Sequence, residues 1–156
     1  MYSVHKLNIF DLRELKQVSD ILYDCGKDMV KTLNLHHWDN SRFKIWGIII
    51  MCTLKNDIYL LYDGEKPVAS FQTHKDGGNM SFQKLATAPA FSNTGIGSYC
   101  LTEIENLAKE KMCSGVICEV YDQNQRAKRF YEHKGYTVYG TVNTRKYREL
   151  RMRKEI

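Results

Sequence analysis

A strand-forming run, MSFQKLATA at 80–88, leads through a glycine-bearing turn into an amphipathic helix at 98–110, and a second apolar run, SGVICEVY at 114–121, follows at once. Leu101, Ile104, Leu107 and Ala108 recur at helical spacing while Glu103, Glu105 and Lys109 fall off that stripe, so the helix has one face to bury. A helix of about a dozen residues between two strands carries the chain back across a sheet, which makes the two strands parallel neighbours with a right-handed crossover. This βαβ unit confines the chain to layered folds in which helices cover a sheet.

The flanking segments extend the same sheet. Residues 2–7 predict a short strand, and Asp11 with Glu14 forms a D-x-x-E start signal for a helix. Leu12, Leu15, Val18, Leu22, Cys25 and Met29 then recur every three or four positions, giving a helix of roughly five turns with one buried stripe. The stretch NLHHWDN (34–40) breaks that period, and Asn40 or Ser41 is placed to cap a second helix reaching about Lys55, although IWGIIIMCTL also suits a buried strand. IYLLYD (58–63), the turn Gly64-Glu65-Lys66 and PVASFQTHK (67–75) predict a hairpin, and Asp76-Gly77-Gly78-Asn79 supplies the next turn. A last helix (124–134) and two strands (136–142 and 144–153) close the chain. The expected architecture is one α+β (mixed α/β) domain, residues 1–156, with one mixed sheet of six or seven strands and about four helices.

Composition narrows the partners. The excess of 23 Lys+Arg over 18 Asp+Glu, a formal +5, favours anionic partners in general. Five cysteines, Cys25, Cys52, Cys100, Cys113 and Cys118, are odd in number and form no C-x-x-C pair, so neither a disulfide framework nor a metal site is expected. The N-terminus has no signal-peptide pattern and the longest apolar run, Trp46 to Cys52, is too short to span a bilayer, so a cytoplasmic location without membrane contact is expected.

The turn between strand 80–88 and helix 98–110 reads Ser92-Asn93-Thr94-Gly95-Ile96-Gly97-Ser98. Its glycines let the backbone approach a ligand and adopt positive φ, and the helix start beyond them offers unpaired N–H groups and the positive end of the helix dipole. An anion, above all a diphosphate, suits that place. A P-loop would need Lys-Ser/Thr after the second glycine, where Ser98-Tyr99 stands. A dinucleotide fold would need a third glycine at Cys100 and a second nucleotide-binding half that the remaining chain cannot hold.

Downstream lies Asn124-Gln125-Arg126-Ala127-Lys128-Arg129-Phe130-Tyr131-Glu132-His133-Lys134-Gly135-Tyr136. Here the chain resembles the GNAT superfamily of acetyltransferases: LATAPAFSNTGIGS is similar to that family's strand end and Q/R-x-x-G-x-G/A loop, and residues 124–136 to its N-x-x-A-x-x-F-Y-x-x-x-G-F/Y element. The resemblance covers roughly residues 58–154, while 1–57 match in layout only. It implies a mostly antiparallel sheet with a splayed parallel strand pair, and acetyl-CoA as acyl donor with no metal. In its terms Leu85 and Thr87 offer backbone groups to the pantetheine arm, and Ser92, Asn93, Thr94, Gly95, Ile96, Gly97 and Ser98 hold the diphosphate. Asn124 bonds the arm, and Tyr131, about two turns further along the helix, faces the thioester sulfur as general acid.

Departures from the pattern are Ser92, where the family usually has Arg or Gln, and the lack of any Asp or Glu from Gly77 to Thr102, which removes one usual base position. Glu119 is the candidate base, with a structural ion pair as its competing role. His36, His37 and Trp38 are candidates for the acceptor side. The expected reaction is direct attack of an amine on acetyl-CoA in a ternary complex. The alternatives are a coenzyme A-binding domain without chemistry, and a nucleic-acid module built on the basic stretch 145–154, which reads better as a solvated edge strand. Acceptor identity stays open, and so does a homodimer.

Overall fold

The computed structural model describes residues 1–38, 43–53 and 56–156. Helix α1 (Leu12–Leu33) starts where the sequence signal lies. The Asp11 carboxylate accepts hydrogen bonds from the Arg13 and Glu14 N–H groups at 2.9 and 3.2 Å, and Glu14 accepts one from the Asn8 N–H at 2.9 Å. These bonds satisfy amides that the first turn leaves unpaired. The helix ends at Asn34, whose left-handed φ of 52° lets its N–H return to the Met29 and Val30 carbonyls. Helix α2 is Ile45–Thr53, and the expected caps Asn40 and Ser41 and the expected end at Lys55 lie outside the described residues.

Seven strands follow the expected order: β1 (Tyr2–Lys6), β2 (Asp57–Asp63), β3 (Lys66–Asp76), β4 (Asn79–Thr87), β5 (Gly115–Tyr121), β6 (Thr137–Asn143) and β7 (Arg148–Glu155). Helix α3 (Ile96–Glu110) joins β4 to β5, and α4 (Gln125–His133) joins β5 to β6. Their spatial order is β1-β2-β3-β4-β5-β7-β6, antiparallel throughout except for the parallel pair β4 and β5. One core forms where α3 and α4 cover the sheet, around Phe71, Phe82, Cys100, Ile104, Val116 and Tyr136. The other lies under α1 and α2, around Leu15, Val18, Leu22, Ile48, Ile58 and Leu60. All five cysteines are unpaired, and four of them are buried.

Two sequence expectations need correction. The C-terminal strand is not an edge: β7 is hydrogen-bonded between β5 and β6, and β6 is the edge. It also begins at Arg148 rather than 144. The Thr144 N–H donates to the Tyr147 carbonyl at 2.8 Å, and the Thr144 hydroxyl accepts from the Tyr147 N–H at 2.9 Å, which closes a turn where strand pairing would otherwise continue. Much of the basic stretch is paired: Arg151 with Glu119 across the β5–β7 register, Arg153 with Glu155 on the same strand and Lys154 with Glu105 of α3.

The last of these pairs ties β7 to α3 and to the segment between α4 and β6. Lys154 donates to both Glu105 oxygens at 3.0 and 3.1 Å, and the Tyr136 hydroxyl donates to the same carboxylate at 3.3 Å. The side chains are 31% and 16% exposed. Removing one member of a fully buried pair costs about 3–5 kcal/mol, and the partial exposure here reduces that. Lys154→Met is expected to lower stability by about 1–2 kcal/mol in urea unfolding, with the denaturant slope unchanged.

Candidate active site

β4 and β5 pair at only three positions, Asn79 with Gly115, Met80 with Val116 and Ser81 with Ile117. Beyond them β4 runs on to Thr87 and β5 to Tyr121 without further pairing, so the strands part. The local cause is a bulge in β4. Gln83 pairs with Gln72 and Ala86 with Ser70, which leaves Lys84 and Leu85 opposite the single residue Phe71, and Lys84 takes a left-handed φ of 53°. The extra residue also reverses the side-chain alternation: Met80 and Phe82 enter the core under α3, while Ala86 enters the one under α1. Nothing in the sequence pattern marks this bulge.

The parting opens two cavities that meet, one of about 570 Å³ and one of about 450 Å³. Leu85, Thr87, Ser92, Asn93, Gly95, Ile96, Gly97, Ser98, Asn124 and Tyr131 all border the first. Thr94 does not; its hydroxyl turns back to the Phe91 carbonyl at 2.5 Å. Glu119 borders the second. Leu85, Asn124 and Tyr131 border both and mark the junction.

A 3-10 turn at Pro89–Phe91 stops β4, and the chain then rises through Asn93 (φ 60°) and Gly95 (φ 87°) into α3. A Cβ on Gly95 would meet nothing within 4 Å, so this glycine is required by its backbone angle. Gly97 is the close-approach position: a Cβ there would lie 3.6 Å from the Phe130 ring and 3.8 Å from the Thr87 hydroxyl. Ile96 is 2% exposed, so only its backbone can serve a ligand. Arg126 and Arg129, three residues apart on α4, border the cavity facing this turn, and Arg126 donates to the Asn93 side chain at 3.5 Å. Sequence reading passed over both. Their spacing on the helix that begins at Asn124 was the available signal, and they bring to the turn the positive charge that Ser92 lacks.

The side-chain oxygen of Asn124 caps α4 by accepting the Ala127 N–H at 3.1 Å, which leaves its NH₂ as the group to donate elsewhere. The Tyr131 ring is held among Phe82, Phe130 and Tyr136 at centroid distances of 5.6, 5.2 and 5.8 Å. Burial raises its phenol well above the ordinary 10, so the hydroxyl keeps its proton at neutral pH. On the α1 side the Cys25 thiol donates to the Thr87 carbonyl at 2.9 Å, and burial raises that thiol to about 12, so it remains a neutral donor. Of the Thr87 backbone groups, the carbonyl is thus already engaged by α1.

The second cavity lies over the odd-numbered face of β5. Glu119 is exposed and accepts from Arg151 at 3.3 Å, so the ion pair weighed against its catalytic role is present. Glu149, directly across from Tyr121 in the register of β5 and β7, is half-buried, and sequence reading missed it. Burial, then a hydrogen bond with Glu119, raises Glu149 above the ordinary carboxyl value of 4.5. His37 and Trp38 border this cavity, and His36, exposed beside Asn34, does not. The His37 ring stands 4.7 Å from the Tyr121 ring and 6.2 Å from that of Tyr147. Among the described residues no group of three or more side chains could hold a metal ion, and no helix is long and apolar enough to cross a membrane.

His37 carries a pH signature. Burial, with the Lys84 ammonium, lowers it from 6.5 to about 4, so between those values the unfolded chain takes up a proton that the native imidazole excludes. This group's contribution is therefore complete above pH 6.5 and is lost as pH falls toward 4. His37→Gln is expected to flatten that part of the melting temperature against pH curve; an unchanged slope would show that His37 titrates normally.

Comparison with known families matches residues 17–136 to the acetyltransferase (GNAT) family, and the chain belongs to that family of acyltransferases. No curated protein matches the sequence significantly. Among solved structures, a PaiA N-acetyltransferase from Thermoplasma acidophilum in complex with coenzyme A superposes with a TM-score of 0.81 at 16% identity, over 100% of this chain and 99% of that one. A GNAT-family acetyltransferase from Staphylococcus aureus gives 0.73 at 12% identity over 99% of both chains. An aminoglycoside 6'-N-acetyltransferase complexed with coenzyme A gives 0.71 at 12% identity over 98% and 96%. At such identities these structures share the fold.

Proposed function

We propose that the protein transfers the acetyl group of acetyl-CoA to an amine by direct attack in a ternary complex. The observation that carries this reading is the junction of the two cavities at Leu85, Asn124 and Tyr131, where the strands part. One cavity ends on a helix N-terminus faced by Arg126 and Arg129, which suits a diphosphate, and the other is lined by carboxylates and rings, which suits an amine. The turn 93–98 holds the diphosphate on backbone amides. The gap beside β4 takes the pantetheine arm as an added strand, with the Asn124 NH₂ as a side-chain donor.

An amine attacks only when neutral, the thioester carbonyl needs a donor for its developing charge, and the departing sulfur needs a proton. An amide of β4 near Thr87 serves the oxygen. Tyr131 serves the sulfur: with its phenol held above its usual range, it acts as a hydrogen-bond donor that transfers its proton as the thiolate forms. On the acceptor side Glu119, the base read from sequence, is ion-paired with Arg151. Initial rates with both substrates varied should give intersecting double-reciprocal lines, and protein incubated with acetyl-CoA alone should keep its unmodified mass. Parallel lines with an acetylated protein would replace direct attack by an acyl-enzyme route.

A further inference from the structure

The acceptor side holds a pair of carboxyl groups that differ in setting. Glu119 on β5 faces Arg151 across the strand register, and Glu149 lies across from Tyr121, two residues along the same face, so the two carboxyls project from one side of the sheet as neighbours. Glu119 is exposed and occupied by Arg151. Glu149 is half-buried, on the strand beside the aromatic wall made by His37, Tyr121 and Tyr147, whose rings lie 4.7 to 6.2 Å apart. We propose that Glu149 is the group that takes the proton from the acceptor's ammonium, with Glu119, tied to Arg151, as its positioning partner. This assignment rests on the acetyl-transfer reading above.

The other titratable groups on this cavity serve less well. His37 is held at about 4 by burial and Lys84, too weak a base to accept an ammonium proton near neutrality. Asp76 and His74 enter from β3, Asp76 exposed and His74 with its Nδ1 buried and unpartnered among the described residues. Tyr139 comes from β6, and Lys84 from β4 opposes the rise of Glu149 without cancelling it. A carboxyl raised above its usual range accepts a proton more readily near pH 7 than an ordinary one.

The proton balance closes. The R–NH₃⁺ group loses one proton to the Glu149 carboxylate and becomes R–NH₂. Its lone pair forms the N–C bond to the acetyl carbon, the C–S bond breaks with its electrons on sulfur, and Tyr131 protonates that sulfur. The second nitrogen proton leaves as the amide forms and restores the phenol. The proton on Glu149 is then released to solvent, so each turnover yields amide, thiol and one released proton.

The test uses the full chain with acetyl-CoA and three probe amines, n-butylamine, ethylenediamine and L-lysine, following thiol release across pH. Glu149→Gln is expected to lower kcat/KM about 100-fold and to abolish the enzyme's acidic limb, while acetyl-CoA affinity by calorimetry stays within a few-fold. Glu119→Gln, which removes one of the groups that raise Glu149 beside its burial, should move that limb to lower pH, a shift that a merely structural role would not produce. Independently of any amine, carboxyl-labelled NMR should show Glu149 titrating above the other glutamates, and returning toward them in the Glu119→Gln protein. A Glu149→Gln protein with wild-type rate and pH profile, or a Glu149 signal unmoved by Glu119→Gln, overturns the proposal while acetyl transfer stands. Wild-type protein that turns over none of the three amines counts against acetyl transfer itself, and the assignment falls with it.

Discussion

Tyr131→Phe is expected to lower turnover by roughly 10-fold or more while acetyl-CoA affinity stays within a few-fold of wild type. The ring sits in a ring cluster with Phe82, Phe130 and Tyr136, and phenylalanine keeps those contacts, so the helix and the cavity junction survive the change. What is lost is one O–H at the place where, in the proposed reaction, the sulfur leaves. General acids contribute about 10²–10⁴-fold, and the loss here falls near the low end because thiolate is a fair leaving group that water can protonate. Calorimetry with acetyl-CoA, thiol release with the best amine and a melting curve on both proteins make the check. Normal turnover would make Tyr131 a packing residue; joint loss of binding and chemistry would make it a positioning residue for the thioester.

Gly97→Val should weaken acetyl-CoA binding by roughly 10–100-fold, the equivalent of one charge-assisted hydrogen bond of about 1.5–3 kcal/mol to the diphosphate. The first added carbon is tolerated, at ordinary contact distance from Phe130 and Thr87, and the two methyls beyond it crowd the narrow space between the start of α3, the end of β4 and α4. Gly97→Ala, which adds only that first carbon, is expected to bind within a few-fold of wild type. Gly95→Val is the less clean variant, because its φ of 87° adds backbone strain of about 1–3 kcal/mol to any effect on the ligand. Equal affinity of wild type and Gly97→Val would move the diphosphate away from this turn.

The elements that carry strong local signals were legible in the sequence. The Asp11 cap, the stripe of α1, the hairpin of β2 and β3, and the βαβ unit at 79–121 all stand within a few residues of their expected limits. What escaped was set by tertiary structure. The place of β7 between β5 and β6 depends on which edge is free when the chain returns, and alternation of Leu150 and Met152 is the same at an edge or in the interior. The bulge at Lys84 and Leu85 has no composition of its own, since a lysine at positive φ carries no marker such as glycine. Within the site, the glycine turn and the Asn124 to Tyr131 spacing belong to contiguous motifs and were found. Glu149 and Cys25 meet the site from segments far along the chain, and only the folded chain puts them there; Arg126 and Arg129 lie within the 124–136 motif, and the fold supplies the turn that they face.

In the proposed reaction the two cavities divide the labour between a diphosphate end and an amine end, with the reacting atoms at the junction. Thiol release from acetyl-CoA, measured with and without each member of a broad amine panel and paired with the mass of the amine product, tests this most directly. Release that depends on an amine, with one amine acetylated for each thiol freed and both reduced together at limiting acetyl-CoA when Gly97→Val crowds the diphosphate turn, is the predicted result. Tight acetyl-CoA binding with no amine-dependent release across the panel would contradict it and leave a domain that holds coenzyme A without performing the transfer.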